Sequence, residues 1–212
     1  KIKNIIVLML ENRSFDHFFG FSKPDLNVNG LSGKEFNYED VKDKESKKVF
    51  VSNNAPYINE CDPDHSTPAT KEKVANNMGG FVSFENAKGH KNKNYCDVMR
   101  TFTPEKLPVL TTLAKEFAIM DEFFCSHPGP TWPNRMFCLS GTSAGSTETG
   151  TWYHNKVGSL FPQRTIFDQV SEAGLEWRNY YNDTPWELFM ESIAHSPHNV
   201  KNLESFFDDA KN

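Results

Sequence analysis

The sequence predicts an α/β fold with a mainly parallel sheet. Residues 4–10 contain the unbroken apolar run IIVLML, and such runs without alternation are typical of parallel strands that are buried on both faces. Further along the chain, strand-like runs alternate with helical patterns that have recognisable starts and stops. This alternation is what a parallel sheet crossed by helices requires.

The elements of the first half follow in order. Ser14 is predicted to cap a short helix over residues 15–19, which Gly20 is expected to end. Residues 23–94 show weak periodicity and charged runs such as KDKESKK, so they are predicted to be a loop-rich excursion. Helical spacing then predicts a helix over residues 107–117.

The remaining predicted elements are a strand, two helices, a further strand and a last helix. The run AIMDEFF at residues 118–124 predicts a strand, and Thr131 is predicted to cap a helix that Gly141 ends. Thr165 and Asp168 form a capping box for a helix that stops at Gly174. The strand-like run LEWRNYY follows, and TPWE opens another helix.

Composition and charge exclude some functions. The chain has 212 residues, of which 37% are hydrophobic, so it can bury a substantial core. A formal charge of −5 offers no basic surface of the kind that nucleic-acid binding needs, so nucleic acid is not an expected partner. No apolar run approaches the roughly 20 residues that span a bilayer, and the first ten residues do not match a signal peptide.

The four cysteines do not have metal-finger spacing. They are Cys61, Cys96, Cys125 and Cys138. Buried thiols and disulfides formed in an oxidising compartment are equally compatible with their positions.

Polar side chains follow the first predicted strand at the edge where ligand sites form in open α/β sheets. Glu11 and Asn12 offer oxygen donors that suit Ca²⁺, Mg²⁺ or Mn²⁺ and that Zn²⁺ also accepts. In the alternative interpretation, Glu11 pairs with Arg13 and Asn12 satisfies a turn. This stretch alone slightly favours the alternative.

Thr131 has two possible roles at the start of its predicted helix. A threonine there commonly accepts a hydrogen bond from a helical N–H group. The same position also holds its hydroxyl at the positive end of the helix dipole, where a phosphoryl group would bind. Asn134 and Arg135 would add donors to the phosphate oxygens.

Several motifs together resemble those of a known family. The first two are specific in combination: ENRSFDHFFG (residues 11–20) and TWPNR (131–135). Weaker similarities extend the match over most of the chain: DPDHS (62–66), GTSAG (141–145) and RTIFDQVSEAGLEW (164–177). The sequence resembles the phosphoesterase family that holds bacterial phosphatidylcholine-preferring phospholipases C, plant non-specific phospholipases C and related acid phosphatases.

The resemblance implies an alkaline-phosphatase-like, three-layer α/β/α fold and a chemistry for the site. Glu11 and Asn12 would bind a divalent metal ion, and Thr131 would bind it too while acting as the nucleophile of a phosphothreonine intermediate. His65 would face the substrate phosphate, although a hydrogen-bonded loop histidine is nearly as well supported. His17 is interpreted as a group that packs behind the site.

The sequence also departs from the family pattern. It lacks the acidic DExxGxxDH motif that supplies further metal ligands, and Asp208 and Asp209 are read as a solvated pair rather than as substitutes. We therefore expect residues 1–212 to be the N-terminal part of a single catalytic domain, incomplete at its C-terminus. A C-terminal half or a partner chain would then complete the metal site. The alternative is a non-catalytic homologue that binds or assembles.

Phospholipase C-type cleavage of phospholipid is the activity that the resemblance favours. Soluble phosphomonoesters, the substrates of acid phosphatases, are the alternative. A phospholipid substrate implies transient contact with a membrane surface, and analogy with the bacterial members favours a secreted or extracytoplasmic location.

Overall fold

The computed structural model describes residues 2–11, 13–150 and 160–211. The chain divides into two units, which are considered separately below. The first consists of Lys1–Asp64 and Ala69–Phe124, and the second of His65–Pro68 and Cys125–Asn212. The mixture of helices and short strands is consistent with the α/β class. Within the described residues, no helix is long and apolar enough to cross a membrane.

Both apolar runs that predicted strands in the first unit lie outside any strand. Residues 4–10 are exposed, with Ile5 at 84% and Val7 at 80% relative exposure, and in residues 118–124 Phe123 is 81% exposed. The strand predictions for these two runs are therefore wrong. A parallel strand needs a neighbouring strand to take its backbone hydrogen bonds, and the described residues place none beside either run.

Short helices open the first unit. Helix α1 (Phe15–Phe19) begins as predicted, with the Ser14 hydroxyl accepting a hydrogen bond from the His17 N–H. Gly20 does not end the helical path, because a 3₁₀ turn (Gly20–Ser22) and α2 (Lys23–Leu26) continue it. A Cβ at Gly20 would lie 2.7 Å from the Leu31 Cδ1 atom, so the glycine permits close packing rather than a helix stop.

Residues 23–94 contain short elements joined by loops. Strands β1 (Phe36–Tyr38) and β2 (Lys48–Phe50) pair antiparallel, with Phe36 opposite Phe50. Helix α3 (Thr67–Met78) is interrupted at Ala75–Asn77, and α4 (Phe81–Ala87) follows it. The buried apolar side chains of this unit include Val28, Ala55, Val82, Cys96 and Phe102.

A disulfide and one further helix complete the first unit. Cys61 and Cys96 form the disulfide, which answers the question that the cysteine spacing left open. Cys125 and Cys138 are free and exposed. Two 3₁₀ segments (His90–Asp97 and Pro104–Lys106) precede α5 (Pro108–Glu116), which confirms the predicted helix over residues 107–117.

The second unit confirms the helices that were predicted from caps. Helix α6 (Thr131–Ser140) ends at Gly141, whose φ of 70° is left-handed. Helix α7 (Ile166–Glu172) has the expected capping box between Thr165 and Asp168. The turn after α7 contains left-handed Gly174.

The sheet of the second unit has two strands. Strands β3 (Asn179–Tyr181) and β4 (Val200–Asn202) pair in parallel, with Asn179 opposite Val200. The predicted helix near Thr184 is a 3₁₀ segment (Trp186–Phe189) followed by α8 (Glu191–Ala194). A 3₁₀ turn (Pro197–Asn199) precedes β4, and α9 (Glu204–Asp209) follows it.

The core of the second unit consists of Met136, Trp186, Met190 and Ile193. This small sheet is the only parallel pairing of strands in the described residues, so a three-layer architecture is not seen there.

Candidate functional site

Thr131 is the first residue of α6. The preceding Pro130 is extended and occupies the N-cap position, so the prediction that Thr131 is the cap is wrong by one residue. Because a proline side chain has no acceptor, α6 begins without a side-chain cap hydrogen bond. The half-buried Thr131 therefore lies at the positive end of an uncapped helix dipole, which is a favourable position for a phosphate oxygen.

The side chain of Asn134 fastens the loop that leads into Thr131. Its Oδ1 atom accepts a hydrogen bond from the His127 N–H at 2.9 Å. Its Nδ2 atom donates to the carbonyl oxygens of His127, Gly129 and Pro130 at 2.9, 3.3 and 3.0 Å. The predicted contact between Asn134 and phosphate would have to replace one of these bonds. Asn134 thus holds the backbone that precedes Thr131.

A second set of bonds ties the same loop to a distant segment. The Thr67 hydroxyl lies 2.8 Å from the His127 Nε2 atom and donates to the Thr147 carbonyl oxygen at 2.5 Å. The His127 Nε2 atom also lies 3.1 Å from the Thr147 carbonyl oxygen. Because the hydroxyl proton is directed to Thr147, Nε2 faces two oxygen acceptors and carries the proton. The Thr67 N–H donates to the Glu148 Oε1 atom at 3.0 Å. A Cβ at Gly129 would lie 2.4 Å from the Thr67 Oγ1 atom, so only glycine fits beside this tie.

His65 belongs to the segment that this tie secures. It is exposed and lies two residues before buried Thr67. His65 and Thr131 are thus parts of one compact unit, connected through Thr67 and His127. The structure brings the two predicted catalytic residues into the same unit, while their roles stay predictions.

Arg135 packs against the core of the second unit. Its guanidinium lies 5.2 Å from the centre of the Trp186 ring, and its Nη1 atom lies 3.5 Å from the Glu187 Oε1 atom. Burial raises the pKa of Glu187, and the positive charge of Arg135 opposes that rise. A phosphate contact by Arg135 stays a prediction beside this observed packing role.

The predicted metal ligands are only partly described. Glu11 is exposed and belongs to the first unit, whereas Asn12 lies outside the described residues. Thr131 belongs to the second unit. The predicted ligand set therefore stays a prediction, and its support is the oxygen chemistry of the three side chains, which suits a hard divalent cation.

His17 has the packing role that the sequence indicated. Its ring meets the Phe102 ring edge-on, with the ring centres 4.9 Å apart. Its Nε2 atom lies 2.6 Å from the Arg13 Nη1 atom and must accept, because a guanidinium can only donate. Burial, assisted by the charge of Arg13, lowers the pKa of His17 to about 4. Neutral His17 therefore supports the segment that carries Glu11.

Sequence reasoning missed Thr67, His127 and Glu148. The available signal was the Pro-Gly-Pro sequence after His127, since a glycine between two prolines is typical of a tight turn. The identity of that group had no local signal, because Thr67 is 60 residues away.

Family comparison identifies the class of protein. The model of the Phosphoesterase family matches residues 2–212. The chain belongs to the phosphoesterase family, which confirms the resemblance that the motifs indicated.

Several curated proteins are similar to this chain. Non-specific phospholipase C1 of Arabidopsis thaliana is 40% identical over 94% of this chain and 38% of its own length. Non-specific phospholipase C6 of the same plant is 36% identical over 91% of this chain and 37% of its own length. Hemolytic phospholipase C of Pseudomonas aeruginosa is 28% identical over 90% of this chain and 28% of its own length. The chain spans less than two fifths of the length of these relatives.

Proposed function

We propose that the protein hydrolyses phosphate esters by a phospholipase C-type reaction and that Thr131 is the nucleophile. The observation that carries this proposal is the position of Thr131 at the uncapped start of α6, behind a loop that Asn134 and Thr67 hold in place. The names of the similar plant and bacterial proteins support phospholipid as the substrate. We extend the proposal to an alkaline-phosphatase-like fold, on the strength of the motif resemblance.

In the proposed reaction the Thr131 hydroxyl gives its proton to water as its Oγ atom attacks the phosphorus of the substrate. The bond between phosphorus and the diacylglycerol oxygen breaks, and the leaving oxygen takes up a proton, for which we propose His65 as the donor. Water then cleaves the phosphothreonine, which releases the phosphorylated head group and restores the hydroxyl. The first-turn N–H groups of α6 point toward the negative charge that develops on phosphorus.

Glu11, Asn12 and Thr131 are the residues proposed to hold a divalent metal ion. Family membership supports a divalent metal but does not define which one. The three side chains provide one carboxylate, one amide oxygen and one hydroxyl, and this all-oxygen set fits Ca²⁺, Mg²⁺ or Mn²⁺, with Zn²⁺ also tolerated. When bound, such an ion neutralises phosphate charge and lowers the pKa of a hydroxyl ligand.

The location of the protein is proposed from one observation. Disulfides persist mainly in oxidising compartments, and the chain contains the Cys61–Cys96 disulfide. We therefore propose an extracytoplasmic or secreted location, where transient contact with a membrane surface gives access to phospholipid.

Replacing Thr131 tests the proposed function. Release of phosphocholine from phosphatidylcholine vesicles by the full-length protein should fall at least about 10³-fold in Thr131→Ala. Thr131→Ser, which keeps a hydroxyl, should retain a measurable part of the activity, and Thr112→Ala, on the exposed face of α5, should retain nearly all of it. Near wild-type turnover in Thr131→Ala would reject the mechanism.

The same assay separates the candidate substrates. Each variant is also tested with a soluble aryl phosphate monoester, with and without a chelator. Turnover of the monoester alone would indicate an acid phosphatase. If the wild-type protein hydrolyses neither substrate in the presence of Ca²⁺, Mg²⁺, Mn²⁺ or Zn²⁺, the protein is a non-catalytic homologue.

A further inference from the structure

Three side chains that commonly bind metals converge in the first unit, and the proposed function does not use them. They are Cys61, His90 and Cys96, whose donor atoms all lie within 4.8 Å of one another. The His90 Nδ1 atom is 3.1 Å from the Cys96 sulfur. Cys96 is 1% exposed, while Cys61 and His90 are half-buried and can be reached from solvent. Two sulfurs and one imidazole nitrogen form a softer set than the oxygen donors proposed for the phosphoester site.

A buried carboxylate holds His90 beside the two sulfurs. The Glu85 Oε2 atom lies 2.8 Å from the His90 Nδ1 atom, and the Glu85 side chain is fully buried. The second oxygen of Glu85 lies 2.5 Å from the Nζ atom of buried Lys73. This ion pair fixes the carboxylate, so its free edge is oriented toward His90. Cysteine and histidine are the usual ligands of structural zinc sites in proteins.

The backbone around Cys96 is held in an unusual conformation. Asn94, Tyr95, Cys96 and Asp97 all have left-handed φ values, between 49° and 57°. A left-handed conformation is strained for most residues that have a Cβ, and asparagine and aspartate tolerate it best. The Tyr95 hydroxyl donates to Glu39, and Cys96 is tied to Cys61, so both attachments oppose relaxation of this turn. The turn keeps the Cys96 sulfur beside His90.

We propose that Cys61, His90 and Cys96 form a zinc site when the Cys61–Cys96 disulfide is reduced, with Glu85 orienting the His90 ring. A dithiol donates two electrons and two protons, so that the sulfur–sulfur bond breaks, two thiols form and the dithiol becomes a disulfide. Zn²⁺ then displaces the two thiol protons and binds both thiolates and a ring nitrogen of His90, and water takes the fourth position of a tetrahedral site. The same side chains thus stabilise the left-handed turn covalently under oxidising conditions and by coordination under reducing ones. This inference is independent of the proposed phosphoesterase function.

Metal binding by the protein in two redox states tests this site. The Cys125→Ser, Cys138→Ser background removes both free thiols, so reduction exposes only Cys61 and Cys96. Oxidised and phosphine-reduced samples are titrated with Co²⁺ and then with Zn²⁺ after the reductant has been removed. The reduced protein should bind one equivalent more than the oxidised protein, with the sulfur-to-cobalt charge-transfer band and the visible bands of tetrahedral Co²⁺. The oxidised protein should show neither band.

Histidine variants in this background test the ligand set. His90→Ala should weaken Zn²⁺ binding by the reduced protein at least about 10–100-fold, because the substitution removes one of the metal ligands. His198→Ala, which removes a histidine from the other unit, should leave the stoichiometry and affinity unchanged.

The following results would overturn the proposal. They are equal binding by the oxidised and reduced proteins, absence of binding by the reduced protein, and unchanged affinity in His90→Ala. If reduction unfolds the chain, the far-UV circular dichroism of the reduced protein is measured before and after zinc is added. Zinc should then restore the ellipticity of the oxidised protein, and failure to do so also counts against the site.

Discussion

The Thr67 hydroxyl and the His127 imidazole are 2.8 Å apart and join two segments that are 60 residues apart in the chain. Thr67 begins α3, and His127 opens the loop that leads to Thr131. Because the Thr67 hydroxyl donates to the Thr147 carbonyl, the Thr67 oxygen can accept a hydrogen bond from the His127 ring. The position of the proposed nucleophile thus depends on a buried threonine outside its own motif.

Replacing Thr67 by valine should destabilise the protein. The shape of the side chain is nearly kept, but His127 and the Thr147 carbonyl each lose one of their partners at a position that is 7% exposed, and they keep only their mutual contact at 3.1 Å. We expect a loss of about 1–3 kcal/mol in the free energy of unfolding, measured with urea. Thr112→Val, at an exposed helical position, is the control and should cause no comparable loss. Equal effects in both variants would show that the buried bonds contribute little.

Replacing Asn134 by aspartate should loosen the loop before Thr131. The carboxylate keeps an acceptor for the His127 N–H but faces three carbonyl oxygens that had an amide donor. We expect a loss of stability of about 2–3 kcal/mol and a fall in phosphoester turnover. Asn86→Asp is the matched control, because the Asn86 amide donates to one carbonyl only. A smaller loss in Asn134→Asp than in this control would contradict the bracing role.

Stability should fall in acid because of His17. Its pKa in the folded protein is about 4, below its ordinary value of 6.5, so the unfolded chain binds the proton more tightly. The contribution of neutral His17 is complete above about pH 6.5 and is lost as the pH falls toward 4, by about 2–3 kcal/mol. His17→Gln should flatten this part of the pH profile of unfolding, whereas His198→Gln should not. An unchanged slope in His17→Gln would assign the acid sensitivity to other groups.

Removal of Lys73 should be costly because it leaves Glu85 buried without its cation. The two side chains are 6% and 0% exposed. We expect Lys73→Met to lower the free energy of unfolding by about 3–5 kcal/mol, and a second change, Glu85→Gln, to recover part of that loss. The exposed pair of Lys211 and Asp208 gives the control, since Lys211→Met should have no measurable effect. Additive losses in the double variant would show that the two charges do not interact.

Helix limits set by local chemistry were predictable from the sequence. The Thr165–Asp168 capping box and the Gly141 stop each depend on residues within a few positions of each other. Ser14 caps α1 for the same reason. The error at Thr131 was a single residue, because the sequence shows that a helix starts near a Thr-x-Pro but does not determine the backbone angles of Pro130.

Features that depend on distant partners were not predictable. The apolarity of residues 4–10 predicts burial, yet a strand also requires a neighbour, and the described residues provide none. The phosphate contact of Asn134 stays a prediction, and the bonds of its amide to the loop carbonyls depend on backbone angles that the sequence does not show. The partner of His127 was hidden for the same reason, since sequence patterns report on near neighbours only.

The grouping of residues 65–68 with the second unit has a consequence for folding. Thr67 meets residues 127, 147 and 148, so these contacts span 60 to 81 positions of the chain. Contacts of such long sequence separation form slowly, because a large loop must close before they contribute. During synthesis, Thr67 is made before the loop that precedes Thr131, and residues 147 and 148 are made after that loop. The full set of contacts can therefore form only when residue 148 has been synthesised. Neither unit corresponds to one continuous stretch of chain. A fragment that starts at Cys125 would therefore lack Thr67 and its contacts with the loop.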